Sequence, residues 1–139
     1  MLFRSEFYPS ISEDTLLQAI EFASTITHIS DEDKQIILHA RKLMLFHKKE
    51  PWVKKTDPSF DITMGSFDGA ECCELVGSMI LSRLASLYGH SIGLYRDDGL
   101  AVFNNSPKDI DNIKKQITAI FHEYGLKIKI EAKIGRAHV

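Results

Sequence analysis

Cysteine is scarce in this chain: of 139 residues only Cys72 and Cys73 carry a thiol. Sequence neighbours cannot staple distant parts of a fold, so a disulfide framework is excluded, and the spacing fits no zinc motif. Such cysteine usage suits a reducing, intracellular compartment. Long apolar runs are missing too. No stretch approaches the ~20 residues a membrane span needs, and no secretory n-region and h-region precede the first polar segment. Neither sign of charge dominates, the formal net charge being -2, which argues against wrapping nucleic acid through bulk charge alone. What is present is ordinary: 44% hydrophobic and 26% charged residues exclude disordered and collagen-like classes, and the length suits about one domain.

Charge is informative locally. Between Ser12 and Lys34, Glu13, Asp14, Glu21, Asp31, Glu32 and Asp33 face a single base. Between Arg41 and Lys55 the balance reverses, with Arg41, Lys42, Lys48, Lys49, Lys54 and Lys55 against Glu50 alone. Such a block can neutralise phosphates, and Trp52 within it can stack or pack. The plain alternative is a solvated hairpin whose lysines keep an edge soluble.

Periodicity predicts four helices and a set of short strands. Ser10-Ile11-Ser12-Glu13 is a capping-box pattern, followed by Leu16, Leu17, Ile20 and Ala23 at helical spacing. Ser30 with Asp31-Glu32-Asp33 opens a second helix, with Ile36, Ile37, Ala40, Leu43 and Met44 on one face. His47-Lys48-Lys49-Glu50 separates Leu43–Phe46 from Trp52–Lys55 as a hairpin would. Ala70, Leu75, Val76, Met79, Ile80, Leu84 and Leu87 form a third helical stripe ending at Gly89. Two apolar runs, Ser91–Tyr95 and Leu100–Phe103, flank Arg96-Asp97-Asp98-Gly99, and the Asp-Gly dipeptide signals a hairpin turn. Ser106-Pro107 caps a fourth helix with Ile110, Ile113, Ile117, Ile120 and Phe121 as its stripe, closing at Gly125. Leu126, Ile128 and Ile130 then alternate with Lys127, Lys129 and Glu131 as a half-buried strand. From the third helix onward the order is α-β-β-α-β. A strand just before Tyr8 would complete a split βαβ arrangement, with two helices and the basic hairpin inserted.

Tyr95-Arg96-Asp97-Asp98 puts two carboxylates at a hairpin tip. Hard anionic ligands there suit Mg²⁺, which takes a few carboxylates along with waters and substrate phosphates. Asp-Asp-Gly is also ordinary turn chemistry, so on its own the motif leaves both readings open.

In sequence context the Tyr-x-Asp-Asp tip resembles motif C of reverse transcriptases. Phe7-Tyr8-Pro9-Ser10-Ile11 resembles the end of their motif A, as in non-viral retroelement enzymes. Thr63-Met64-Gly65-Ser66 resembles motif B, and Ser106 to Ile130 resembles motif D. The motifs fall in the family's order across nearly all of residues 6–133. Two departures are Phe67–Glu71, where a proline-containing segment is usual, and Arg96, in a slot more often small or apolar.

The resemblance implies an α+β polymerase palm, a split βαβ antiparallel sheet with helices on one face. It implies an RNA-directed DNA polymerase working by two-metal nucleotidyl transfer with Mg²⁺, or Mn²⁺ in its place, on an RNA or DNA template with primer and dNTP. Asp97 would be the principal metal ligand and Asp98 a second. Tyr8 would exclude a 2′-hydroxyl, with Met64 and Gly65 lining the nucleotide. Lys127 or Lys129 would protonate the leaving pyrophosphate, and Lys48, Lys49, Lys54 and Lys55 would meet nucleic-acid phosphates. The family's motif A Asp belongs at the slot held here by Phe3, so the first strand is expected to be cut short. Rival readings are another palm polymerase and a noncatalytic βαββαβ nucleic-acid-binding module.

The chain ends support that expectation. CTC TTC CGA TCT translates as Leu-Phe-Arg-Ser, matching residues 2–5, and ATC GGA AGA GCA CAC GTC as Ile-Gly-Arg-Ala-His-Val, matching residues 134–139. Both strings resemble sequencing adapter. Residues 1–5 and 134–139 are therefore expected to be non-native, and residues 6–133 to be a partial palm lacking fingers and thumb, inactive alone.

Overall fold

The computed structural model describes residues 1–5, 10–42, 44–53, 60–62 and 66–131. Its elements are strand β1 (Leu2–Ser5), helices α1 (Glu13–Ser24) and α2 (Asp31–His39), and strands β2 (Leu45–His47) and β3 (Glu50–Trp52). Helix α3 (Gly69–Tyr88), strands β4 (Ile92–Tyr95) and β5 (Asp98–Ala101), helix α4 (Pro107–Glu123) and strand β6 (Ile128–Glu131) complete it. The class is α+β.

Local chemistry sets the helix ends. Ser30 Oγ accepts from the Asp33 N–H at 3.1 Å and Ser106 Oγ from the Asp109 N–H at 3.3 Å, with Pro107 in the first turn. Both caps match the sequence pattern. The first helix starts later than its capping-box pattern implies: Ser12, not Ser10, is the cap, and its Oγ accepts from the Thr15 N–H at 3.2 Å. Thr15 in turn donates to the Tyr124 carbonyl at 2.8 Å, which ties this start to the end of α4. Helix α2 is shorter than its apolar stripe suggests, stopping at His39 with Ile36 exposed. Helix α3 stops at Gly89, whose φ of 61° is a left-handed conformation that glycine adopts without strain.

Four strands form one antiparallel sheet in the order β4-β5-β1-β6, and β2-β3 form a separate hairpin. The strand expected to be missing is supplied by residues 2–5, which pair with β5 on one side and β6 on the other. Phe3 and Ser5 point inward and are buried, while Leu2 and Arg4 point outward. The Phe3 ring meets Phe121 of α4 edge to face, centroids 5.8 Å apart. The Met1 ammonium donates to the Ala101 carbonyl at 2.9 Å, extending the ladder to the chain's first residue.

The core lies on one side of this sheet. Leu16, Ala19 and Ile20 of α1, Val76, Ile80 and Leu84 of α3, and Ile117, Ile120 and Phe121 of α4 pack there with Phe3, Ile92 and Ala101. Fully burying an aliphatic or aromatic side chain of this size contributes about 1.5–3 kcal/mol each. The opposite face carries Leu2, Arg4, Asp98, Leu100, Lys129 and Glu131, all exposed. The helices therefore cover one face and leave the other open.

Candidate functional site

The turn between β4 and β5 is tighter than the sequence suggests. Tyr95 pairs with Asp98, so Arg96 and Asp97 alone form the turn, and Arg96 takes a left-handed φ of 53°. The Asp-Gly dipeptide lies in β5 instead. Gly99 is needed there for space: a Cβ at that position would overlap ring atoms Cε2 and Cζ of Phe3 across the ladder. Glycine thus sets how closely β1 approaches β5.

That approach joins the N-terminal strand to the β4–β5 turn at the carboxylates. The Ser5 N–H donates to the Asp97 carbonyl at 2.7 Å. Asp97 is half-buried at the tip, and Asp98 is exposed on the open face. Arg4, opposite Asp98, donates from Nε to Asp98 Oδ1 at 2.9 Å. The hydrogen bond to Asp98, then its charge, raises the Arg4 pKa above its ordinary value. Pairing across the sheet continues the row, since Arg4 lies opposite Lys129 of β6. Tyr95, Asp98, Arg4 and Lys129 therefore form one line across the open face, with Asp98 and Lys129 about 10 Å apart at two strand spacings. Lys127 is exposed and precedes β6, outside this line. Arg96 stacks its guanidinium over the Tyr95 ring at 5.5 Å and lies 3.8 Å from Glu74 of α3.

The donor set does not fit a two-metal centre. Asp98 is ion-paired with Arg4, and position 3 holds a phenyl ring turned into the core on the other face of the sheet. Among the described residues no group of three or more His, Cys, Asp or Glu side chains converges as metal ligands would. Two neighbouring carboxylates, one of them ion-paired, supply too few hard oxygens for a pair of Mg²⁺ ions.

The remaining predicted residues fall elsewhere. Lys48 and Lys49 form the exposed turn of the β2–β3 hairpin, outside the four-stranded sheet. Tyr8, Met64, Gly65, Lys54 and Lys55 lie outside the described residues. Arg41 leaves the basic block altogether. It is buried and ion-paired with Asp68, the residue just before α3, so it is closed to phosphate. Asp68 is accordingly half-buried, whereas Glu71 and Glu74 lie on the exposed face of α3.

Sequence reasoning missed Arg4 and the Arg41–Asp68 pair. Arg4 and Asp98 are separated by 94 positions and meet only through strand register. No local pattern announces that.

No protein-family model matches the chain, and neither curated proteins nor solved structures gave a match.

Proposed function

We infer that the chain is a palm segment of an RNA-directed DNA polymerase of the retroelement reverse-transcriptase kind, and that as folded it does not polymerise alone. The observation that carries this reading is the Ser5–Asp97 hydrogen bond. It sets the strand leading to Tyr8 directly against the Tyr95–Asp98 turn. Nucleotidyl transfer in a palm needs carboxylates from those two places side by side. The strand order β4-β5-β1-β6 and the one-sided helices agree, because they leave the carboxylate face open for a template–primer duplex. Lys129 shares that face and row with Asp98, which favours it over Lys127 as the group that meets the leaving pyrophosphate. Tyr8, which follows β1 closely in sequence, would bar a 2′-hydroxyl. The protein's own contribution to such chemistry is positioning and charge neutralisation.

Two features favour a second reading, a noncatalytic βαββαβ nucleic-acid-binding module. Arg4 occupies Asp98, and Phe3 replaces the second carboxylate. Primer extension separates the two. This chain alone should extend no primer. The same segment, set in a longer chain with fingers, thumb and a first strand whose Asp faces the Asp97 side of the sheet, should extend a DNA primer on an RNA template. Extension on DNA templates only would move the assignment to another palm polymerase. No extension by a folded long chain would leave the binding module.

A further inference from the structure

We propose that the β2–β3 hairpin is a binding site for single-stranded nucleic acid, in which a base stacks on Trp52 while Lys48 and Lys49 hold the neighbouring phosphates. The inference deepens the palm reading, which already sets Lys48 and Lys49 against nucleic-acid phosphates, but the hairpin lies outside the four-stranded sheet and binding is measured without polymerisation, so either can fail without the other.

All six strand residues of the hairpin are exposed, Phe46 at 72% and Trp52 at 56%. A two-stranded ribbon is marginal by itself in water, and one that turns large apolar groups outward gains nothing from core packing. Register sets Trp52 opposite Leu45 on one face and Phe46 opposite Pro51 on the other. Each face therefore offers one aromatic platform with an apolar neighbour.

Charge selects the occupant. The ribbon ends in adjacent lysines, both exposed, and no ion pair among the described residues engages either. Both take left-handed conformations, Lys48 at φ 50° and Lys49 at φ 66°. A two-residue turn of this hand prefers Asn-Gly, so two lysines hold their charges there against local preference. Three residues of strand, about 10 Å, separate Lys49 from Trp52. An apolar protein partner would match the aromatics but not the paired positive charge. A single strand matches both, since bases stack on aromatic faces and phosphates follow cationic side chains.

Trp52 is the chain's single tryptophan, so its fluorescence reports on the site directly. Titrating the whole chain with a short oligothymidylate should quench that emission saturably. At roughly -0.7 per neutralised phosphate, two lysines give a slope of log affinity against log salt of about -1.4. Heparin should compete for the lysines without quenching. The K48N/K49G variant installs the turn's preferred pair, so the hairpin is retained while the salt slope falls towards zero. With a labelled oligonucleotide, Trp52→Leu should weaken binding roughly five- to a hundred-fold, the scale of one base stack, and Trp52→Phe should restore most of it. Absent quenching, equal quenching by heparin, or an unchanged affinity in Trp52→Leu would overturn the proposal. So would an emission shift with protein concentration alone, which would make a second copy of the chain the occupant.

Discussion

Replacing Gly99 with alanine adds one methyl group where the sheet has no room for it. The new Cβ would overlap the Phe3 ring, and the ring cannot swing clear. It is 3% exposed and held edge to face by Phe121. The backbone is not the obstacle, because Gly99 is not among the positive-φ residues. The cost is therefore one of packing, about 1–3 kcal/mol for an overfilled core site. In a domain of this length that lowers Tm by roughly 3–12 °C. Phe3→Ala alone leaves a cavity and should cost about 3–5 kcal/mol. In the double variant the methyl enters the space the ring vacated. Contacting residues couple, so the double variant should be more stable than the two single costs predict by at least about 1 kcal/mol. Thermal unfolding of the four chains, followed by circular dichroism, reads this cycle. Additive costs, or a Gly99→Ala chain that melts with the unsubstituted one, would refute the reasoning. Residues 2–5 would then not lie against β5, and the Arg4–Asp98 and Ser5–Asp97 contacts would fall with them.

Two further outcomes concern the helical layer. Arg83 hydrogen-bonds Glu123 between α3 and α4 and holds that carboxyl below its ordinary range. A depressed carboxyl stabilises the fold above its unfolded value of about 4.3 and loses that contribution as pH falls through the lower folded value. Urea midpoints should therefore fall more steeply below about pH 4.3 in the unsubstituted chain than in Glu123→Gln; parallel curves would mean that the pair contributes nothing. Burial pushes the Cys73 thiol up to about 12 and raises Cys72 as well. Ellman's reagent should label neither thiol in the native chain and both after denaturation. Above about pH 8.5 the unfolded chain ionises first, so stability should decline with rising pH. Fast native labelling would contradict the burial of this α3 face.

Much of the layout is legible in the sequence because local signals and tertiary packing agree there. Ser30 and Ser106 cap as their sequences suggest, and the stripes of α3 and α4 bury Val76, Ile80, Ile117 and Phe121. Legibility fails where packing overrides a local signal. The Asp98-Gly99 dipeptide reads as a turn, yet Gly99 is spent on making room for Phe3, and the turn moves to Arg96-Asp97. Strand β1 shows no amphipathic pattern because Leu2 faces out and Ser5 faces in. The adjacency of Asp97 and Asp98 is written in the sequence, whereas the ion pairing of Asp98 depends on a strand register between residues 94 positions apart. Arg41 reads as part of a basic block because sequence carries charge but not burial.

The central claim is that the Tyr95–Asp98 turn is the catalytic tip of a polymerase palm. The most direct measurement is single-nucleotide incorporation on an RNA template by the longer chain carrying fingers, thumb and a first-strand Asp on the Asp97 side, with and without Asp97→Asn. The asparagine keeps the side chain's shape and removes its charge. Incorporation should fall by roughly 10²–10³-fold, the scale of losing one preorganised charge from a transition state, while affinity for template–primer stays unchanged. Incorporation at the unsubstituted rate by the Asp97→Asn chain would contradict the claim and leave the turn as surface structure.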